Sequence, residues 1–336
     1  MKRKERTRPF SILSGVSCRG YSLPLQRVIT DFGADHPFNG VIKKLKEHYG
    51  IEIPVDSARK ITEHHAHKIL AMTRIAEETV QSGSPKTIII AEADGSMVPI
   101  VEYETPPDES SKWDKRKHKN HRYCEARLSL AHENGSASPV FAATMGSVQE
   151  AGTQLMACVK QVGYNQKTNV HCVGDGAVWI ANQVEERFGS NGTYLIDFYH
   201  LCEYLSAAST NCSAKGKEKE WIDEQKAFLK ANQANQVLLN LRPFLEPVTT
   251  PEAEAPVRAC HRYIKNRPTQ LNYKKAIEQN LPIGSGEVES AHRYVIQKRL
   301  KIAGAWWEKE NARDMLALRI LRANNKWDDY WDRKAA

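Results

Sequence analysis

The chain has 336 residues, more than one average domain, and its 41% hydrophobic and 26% charged residues exclude a mainly disordered protein. No apolar run approaches the roughly 18 residues of a membrane span, and the basic N-terminus (MKRKERTRPFSILSGVSCRG) has too short and interrupted an apolar stretch for a secretory signal. Lysine and arginine outnumber aspartate and glutamate by 48 to 40, which favours a polyanionic partner, nucleic acid first, and a place in the cytoplasm at the nucleoid.

Residues 1–22 are basic and unpatterned, and a flexible arm is expected there. Over 23–83 the apolar spacing turns helical. Val28, Ile29 and Phe32 mark a first segment, VIKKLKEHYG (41–50) a second, and Gly50 supplies the stop because glycine tolerates positive φ. A third helix is predicted from Asp56 or Ser57, both good N-caps, carrying Ile61, Ile69, Met72 and Ala76. This order resembles a helix-turn-helix, whose third helix would present Arg59, Lys60, His64 and Lys68 to a DNA groove. An ordinary three-helix bundle with solvated charges fits the same residues.

From Lys86 the period changes. TIIIAEADGS (87–96) reads as a buried strand ending at an Asp-Gly turn, and 121–133 and 138–147 as two more strands around the hairpin signal ENGS. A helix at 149–162 precedes a fourth strand, NVHCVGDGA (169–177), then a helix to Phe188 and a fifth strand, GTYLIDFYHL (192–201), running into a helix. Residues 215–280 read as helical with breaks at Pro243, Pro247 and PEAEAP (251–256). A Gly-rich turn enters a helix in LPIGSGEVESAHRYVIQKRL (281–300), and a last helix over 308–323 precedes the aromatic tail Trp327, Tyr330 and Trp331. Three strands followed by alternating helices and strands predict an α/β layer with a mixed sheet, which is also the element order of the ribonuclease-H-like fold. Segments 84–210 and 281–336 would form that domain and 211–280 a helical insertion in it.

Asp94 and Asp175 each follow an apolar strand and precede glycine. Strand ends of α/β sheets are where ligands bind, although Asp-Gly also merely closes turns. Glu289 opens a helix introduced by Gly284-Ser285-Gly286, and Glu287 is turned about 200° away from it, so both cannot face one site. Two strand-end aspartates and one helix glutamate are hard oxygen donors suited to Mg²⁺ or Mn²⁺.

GDGA (174–177), DFYHLCEYL (197–205), LPIGSGEVESA (281–291) and ALRILRANNKWDDYW (317–331) resemble bacterial insertion-sequence DDE transposases of the Kra-type group, related to the Mutator-like superfamily. The resemblance runs from about Lys86 to Trp331. It implies that Asp94 and Asp175 are the catalytic aspartates and that Glu289, in the GSGxxES pattern, is the glutamate. Asp197 and His200 match that superfamily's motif of Cys or Asp, two residues, then His. The expected chemistry is cleavage at element ends with two Mg²⁺ or Mn²⁺ ions, then attack of the freed 3′-hydroxyl on target DNA by at least a dimer. The alternatives are a metal-dependent nuclease without strand transfer and a non-catalytic DNA-binding regulator.

Between the first two strands, KWDKRKHKNHR (112–122) sets Lys115, Arg116, Lys117, Lys119 and Arg122, with Lys112, against one Asp, a density that would grip phosphates. Arg293, one turn after Glu289, would bind DNA or balance the carboxylates, or form a plain i,i+4 pair. His64, His65 and His67 lack metal-site spacing, the paired tryptophans read as packing anchors, and no nucleotide loop occurs. Seven scattered cysteines without a CxxC pair argue against a disulfide framework or structural zinc.

Overall fold

A computed structural model describes residues 20–78, 83–104 and 117–335. Residues 1–19 of the basic arm, and Lys115 and Arg116 of the basic run, lie outside the described residues.

The N-terminal helices are α1 (Leu23–Asp35), α2 (Phe38–Tyr49) and α3 (Val55–Glu78). Gly50 closes α2 at φ 63°, giving its N–H to the Leu45 and Lys46 carbonyls, as the sequence predicts. The α3 helix starts one residue before the expected caps. Asp56 therefore falls in the first turn, where it pairs with Arg59 and Lys60, each at 2.6 Å.

Five strands follow: β1 (Ile88–Tyr103), β2 (Lys119–Glu133), β3 (Val140–Thr144), β4 (Asn169–Gly174) and β5 (Gly192–Ile196). They form one mixed sheet in the order β3-β2-β1-β4-β5, antiparallel on the β3-β2-β1 side and parallel from β1 through β4 to β5. Alternation along β1 assigns its two faces. Ile89, Ala91 and Ala93 pack with Leu155 and Val159 of α4 (Val148–Val162) and with Ile180 and Val184 of α5 (Val178–Phe188). Val98 and Ile100 face the opposite core, which holds Val288, Val295, Met315 and Leu316.

Two expected strand ends are wrong. The first strand does not end at Asp94-Gly95 but continues to Tyr103, with Gly95 opposite Arg127 on β2. The β4 pairing stops at Glu92↔Val173, so the outer half of β1 is an edge, where Pro99 is tolerated. There Trp307 N–H donates to the Pro99 carbonyl and Val101 N–H to the Trp307 carbonyl. The fifth strand likewise ends at Ile196, and Asp197 caps α6 (Phe198–Cys212).

Residues 211–280 are helical: α7 (Glu218–Lys230), α8 (Ala234–Leu241), α9 (Pro256–Lys265) and α10 (Tyr273–Glu278), sharing with α6 a core of Leu201, Leu205, Leu229, Leu241, Cys260, Tyr263 and Tyr273. Pro256 opens α9, where a missing N–H is harmless. The chain returns as α11 (Gly286–Ala291), a π-helical stretch (His292–Gln297) and α12 (Lys298–Leu300), then α13 (Lys309–Ala323) and α14 (Trp327–Ala335). Among the described residues no helix is long and apolar enough to cross a membrane, and no cysteine forms a disulfide.

The N-terminal helices share the core on the α13 side, through Ala34, Ala66 and Ile69. Arg299 donates to the Gly33 carbonyl at 2.8 Å, and Arg319 pairs with Asp35. Buried His65 bridges Tyr330 Oη at 2.7 Å and Gln26 Oε1 at 3.0 Å. Burial, then the charges of His64, Lys68 and Lys334, hold its imidazole down at about 3. The unfolded chain takes up this proton near pH 6.5 and the folded chain does not, so stability present above 6.5 drains away as pH falls towards 3. Comparing urea unfolding of wild type and His65→Gln should show their difference shifting by roughly 2–3 kcal/mol between pH 6.5 and 4.5, against the wild type. A constant difference would mean that His65 is not held neutral.

Candidate active site

Continuing the β1–β4 register two residues past Glu92↔Val173 sets Asp94 beside Asp175. The chains are close there: a Cβ on Gly174 would stand 3.3 Å from the Ala93 carbonyl oxygen. Asp94 and Glu92 project on the α11 side, because their β2 partners Leu128 and Leu130 belong to that core. Asp94 Oδ1 accepts Gly95 N–H at 2.7 Å, and Oδ2 lies 3.1 Å from His292 Nε2. Asp175 Oδ1 accepts Ala177 N–H at 2.8 Å across a turn in which Gly176 has φ 85°.

Glu289 is remote in sequence, and a series of anchors delivers it. His171 Nε2–H donates to the Pro282 carbonyl at 2.8 Å, and Phe198 N–H to the Ile283 carbonyl at 2.8 Å. Ser285 donates its N–H and its hydroxyl to Asp197 Oδ2, at 2.6 and 2.5 Å. Val288 N–H donates to Glu92 Oε2 at 2.7 Å. Gly284 is needed for this approach, since a Cβ would fall 2.6 Å from the Tyr199 ring, whereas Gly286 faces open space.

Two site neighbours escape a sequence reading. Glu92 is 2% exposed; burial first, then the Glu287, Asp197 and Glu289 charges, push its carboxyl up to about 8 against the opposing Val288 N–H. It is therefore mostly neutral at pH 7. Its signal is a lone acid in an apolar strand, two residues from Asp94 and so on the same face. His292 is 3% exposed, and neither ring nitrogen has a hydrogen bond of good geometry. It stands three residues after Glu289, about 60° around the helix, whereas Glu287 is about 140° away.

The two glutamates differ as their spacing requires. Glu287 Oε2 is 3.1 Å from buried His132 Nε2 on β2. Glu289 is exposed and makes no ion pair or side-chain hydrogen bond among the described residues. Asp94, Asp175 and Glu289 are oxygen donors fit for a hard divalent cation. They are not drawn into one coordination shell: among the described residues no three His, Cys, Asp or Glu side chains stand close enough to hold a metal ion.

Asp197 is 1% exposed and fully engaged: Oδ1 caps α6 by accepting Tyr199 and His200 N–H, and Oδ2 holds Ser285. His200 Nδ1 lies 3.4 Å from Glu203 and its ring meets Tyr204 and Tyr263 edge-on. Of the predicted DNA contacts, Arg59 and Lys60 are paired within α3, Arg59 also with Glu63, and Arg122 pairs with Glu102. His64, Lys117 and Lys119 are exposed and Lys68 is half-buried. Arg293 is exposed, and its i,i+4 pair with Glu289 does not form.

A family model for UPF0236, described as an uncharacterised protein family, matches residues 155–330, more than half of the chain. The chain belongs to that family. The UPF0236 match contains Asp175, Asp197, His200, Glu289 and His292; Glu92 and Asp94 lie before it. Among curated proteins none matches. Among solved structures, the Drosophila P element transposase strand transfer complex aligns over 98% of this chain and 84% of that one, at 10% identity and a TM-score of 0.34.

Proposed function

We propose that this UPF0236 protein is a DDE transposase of the insertion-sequence type, with a ribonuclease-H-like catalytic domain interrupted by a helical insertion. The observation that carries the reading is the juxtaposition of Asp94 on β1 with Asp175 in the loop just after β4, beyond the point where these two central strands of a β3-β2-β1-β4-β5 sheet pair, with the helix bearing Glu289 anchored over the Asp94 face. Asp94, Asp175 and Glu289 would hold two Mg²⁺ or Mn²⁺ ions. When bound, these supply Lewis-acid polarisation of the scissile phosphodiester and activation of water or a 3′-hydroxyl.

The chain's own residues orient and bind. Glu92 and Asp197 fix the approach of α11 through Val288 and Ser285. His200 stands near the Asp175 loop as a phosphate contact, next to Tyr263. Lys117, Lys119 and Arg293 supply exposed positive charge for the DNA backbone, and the stripe of Lys60, His64 and Lys68 on α3 is the candidate for reading element ends. Paired ends require two copies on the DNA.

The test is incubation of purified protein with labelled duplex carrying the inverted repeats that flank the gene, with Mg²⁺ or Mn²⁺. The reading requires both 3′-hydroxyl nicks at the repeat ends and joined products with target DNA. Nicks without joining would indicate a nuclease, and specific binding without nicks a regulator. Replacing Lys115, Arg116 and Lys117 with alanine should weaken binding to all sequences alike and lower the salt slope by about one for each phosphate left unneutralised. A weakening confined to element ends would move those lysines and arginine from gripping to recognition.

A further inference from the structure

We infer that the helical insertion braces the loop of the second aspartate, with Tyr263 and Arg267 as positioning residues for Asp175. Two side chains of the α9 region reach back to the end of β4. The Tyr263 hydroxyl donates to the Asp175 carbonyl at 2.6 Å, and Arg267 Nε–H donates to the Gly176 carbonyl at 3.0 Å. The loop's other polar groups are held from within the sheet domain: Gly176 N–H donates to Tyr194 Oη at 2.9 Å, and Ala177 N–H to the Asp175 carboxylate. The insertion thus supplies the partners of two successive carbonyls that lie beyond the strand ladder.

The brace is itself immobilised. Tyr263 is 6% exposed and belongs to the insertion's core. Its ring stacks on Tyr204 of α6 with centroids 4.3 Å apart and planes 19° from parallel. The Arg267 guanidinium lies 4.3 Å from the Tyr263 ring centroid and also donates to the Tyr263 carbonyl at 3.2 Å. Turning the phenol away from Asp175 would break this stack. Gly176 fits the same arrangement: its φ of 85° suits glycine, and a Cβ would fall 2.6 Å from Tyr263 Oη and 3.1 Å from Arg267 Nε. Displacing α9 therefore moves the backbone that aims the Asp175 carboxylate.

The part concerning metal rests on the reading of Asp175 as a metal-binding carboxylate; the brace does not. The full-length protein is compared with Tyr263→Phe, which keeps the stack and removes the donor, and with Arg267→Met, which lies at the edge of the stack and serves should the first fail to fold. Hydrogen–deuterium exchange is measured without metal, and Mn²⁺ affinity by electron paramagnetic resonance of the free ion. In Tyr263→Phe, exchange at the Gly176 and Ala177 amides should quicken by about tenfold, with helices α7 and α8 unchanged, and Mn²⁺ affinity should fall about five- to tenfold, the scale of one hydrogen bond. DNA affinity should not change. Unchanged loop exchange in both variants would overturn the brace, as would acceleration spread evenly over the whole insertion. If Asp175→Asn binds Mn²⁺ as wild type does, the metal reading fails, and the exchange data still decide the brace.

Discussion

On the proposed triad, Glu289→Gln should lower metal-dependent cleavage of element-end DNA by about a thousandfold, because losing one of its three carboxylates would remove several kcal/mol of transition-state stabilisation. Glu287→Gln should stay within a few-fold of wild type. The helix itself makes the contrast: the residues are about 200° apart, and Glu287 is turned to His132 while Glu289 faces solvent with no partner among the described residues. Glu287→Gln instead alters the 3.1 Å contact with buried His132, so its effect should appear as a modest change of stability. DNA binding should survive both changes, since the contacts proposed for it are basic side chains. Cleavage of labelled end DNA by each purified variant decides the matter. An active Glu289→Gln beside a dead Glu287→Gln would exchange the two roles, and two active variants would sink the triad mechanism.

The sheet was legible because its strands bury one or both faces and its helices keep a 3.6-residue period. The helix predicted over 149–162 is Val148–Val162, and the strand predicted from 169 starts at Asn169. The errors fall where local chemistry and tertiary pairing disagree. Asp94-Gly95 reads as a turn, yet β2 pairs with β1 past it to Tyr103. Asp94 and Asp175 were visible as candidates because each follows an apolar run in the sequence. Tyr263 and Arg267 were not, since nothing near them in sequence marks them as partners of a loop so far upstream. Nor is the pairing of His292 with Asp94 readable, because it exists only once α11 is docked. Charge density also leaves the local pairings open: Arg59 and Lys60 pair with acids three and four residues away.

Asp197→Ala should be the most destabilising single change at the site, by about 3–5 kcal/mol, since it combines loss of a helix cap with unsatisfied buried donors. Its carboxylate accepts the Tyr199 and Ser285 amides at 2.6 Å, the His200 amide at 3.0 Å and the Ser285 hydroxyl at 2.5 Å, in a position only 1% exposed. Alanine leaves both Ser285 donors buried without their acceptor and the first turn of α6 without its cap. It also frees Ser285 from the end of β5, so the segment leading to Glu289 keeps only its Pro282 and Ile283 anchors on that side of the sheet. Asp197→Asn separates this positioning role from direct chemistry. An amide oxygen in place of Oδ1 can still cap α6, but its NH₂ then faces the Ser285 N–H, donor against donor, and roughly 1–3 kcal/mol should be lost. A residue acting on the reacting atoms would instead lose activity at unchanged stability. Urea unfolding of both variants, alongside cleavage rates at a temperature where each is folded, distinguishes the two. If Asp197→Asn is as stable as wild type yet inactive, Asp197 acts on the substrate or its metal, and its role as a clamp on Ser285 is wrong.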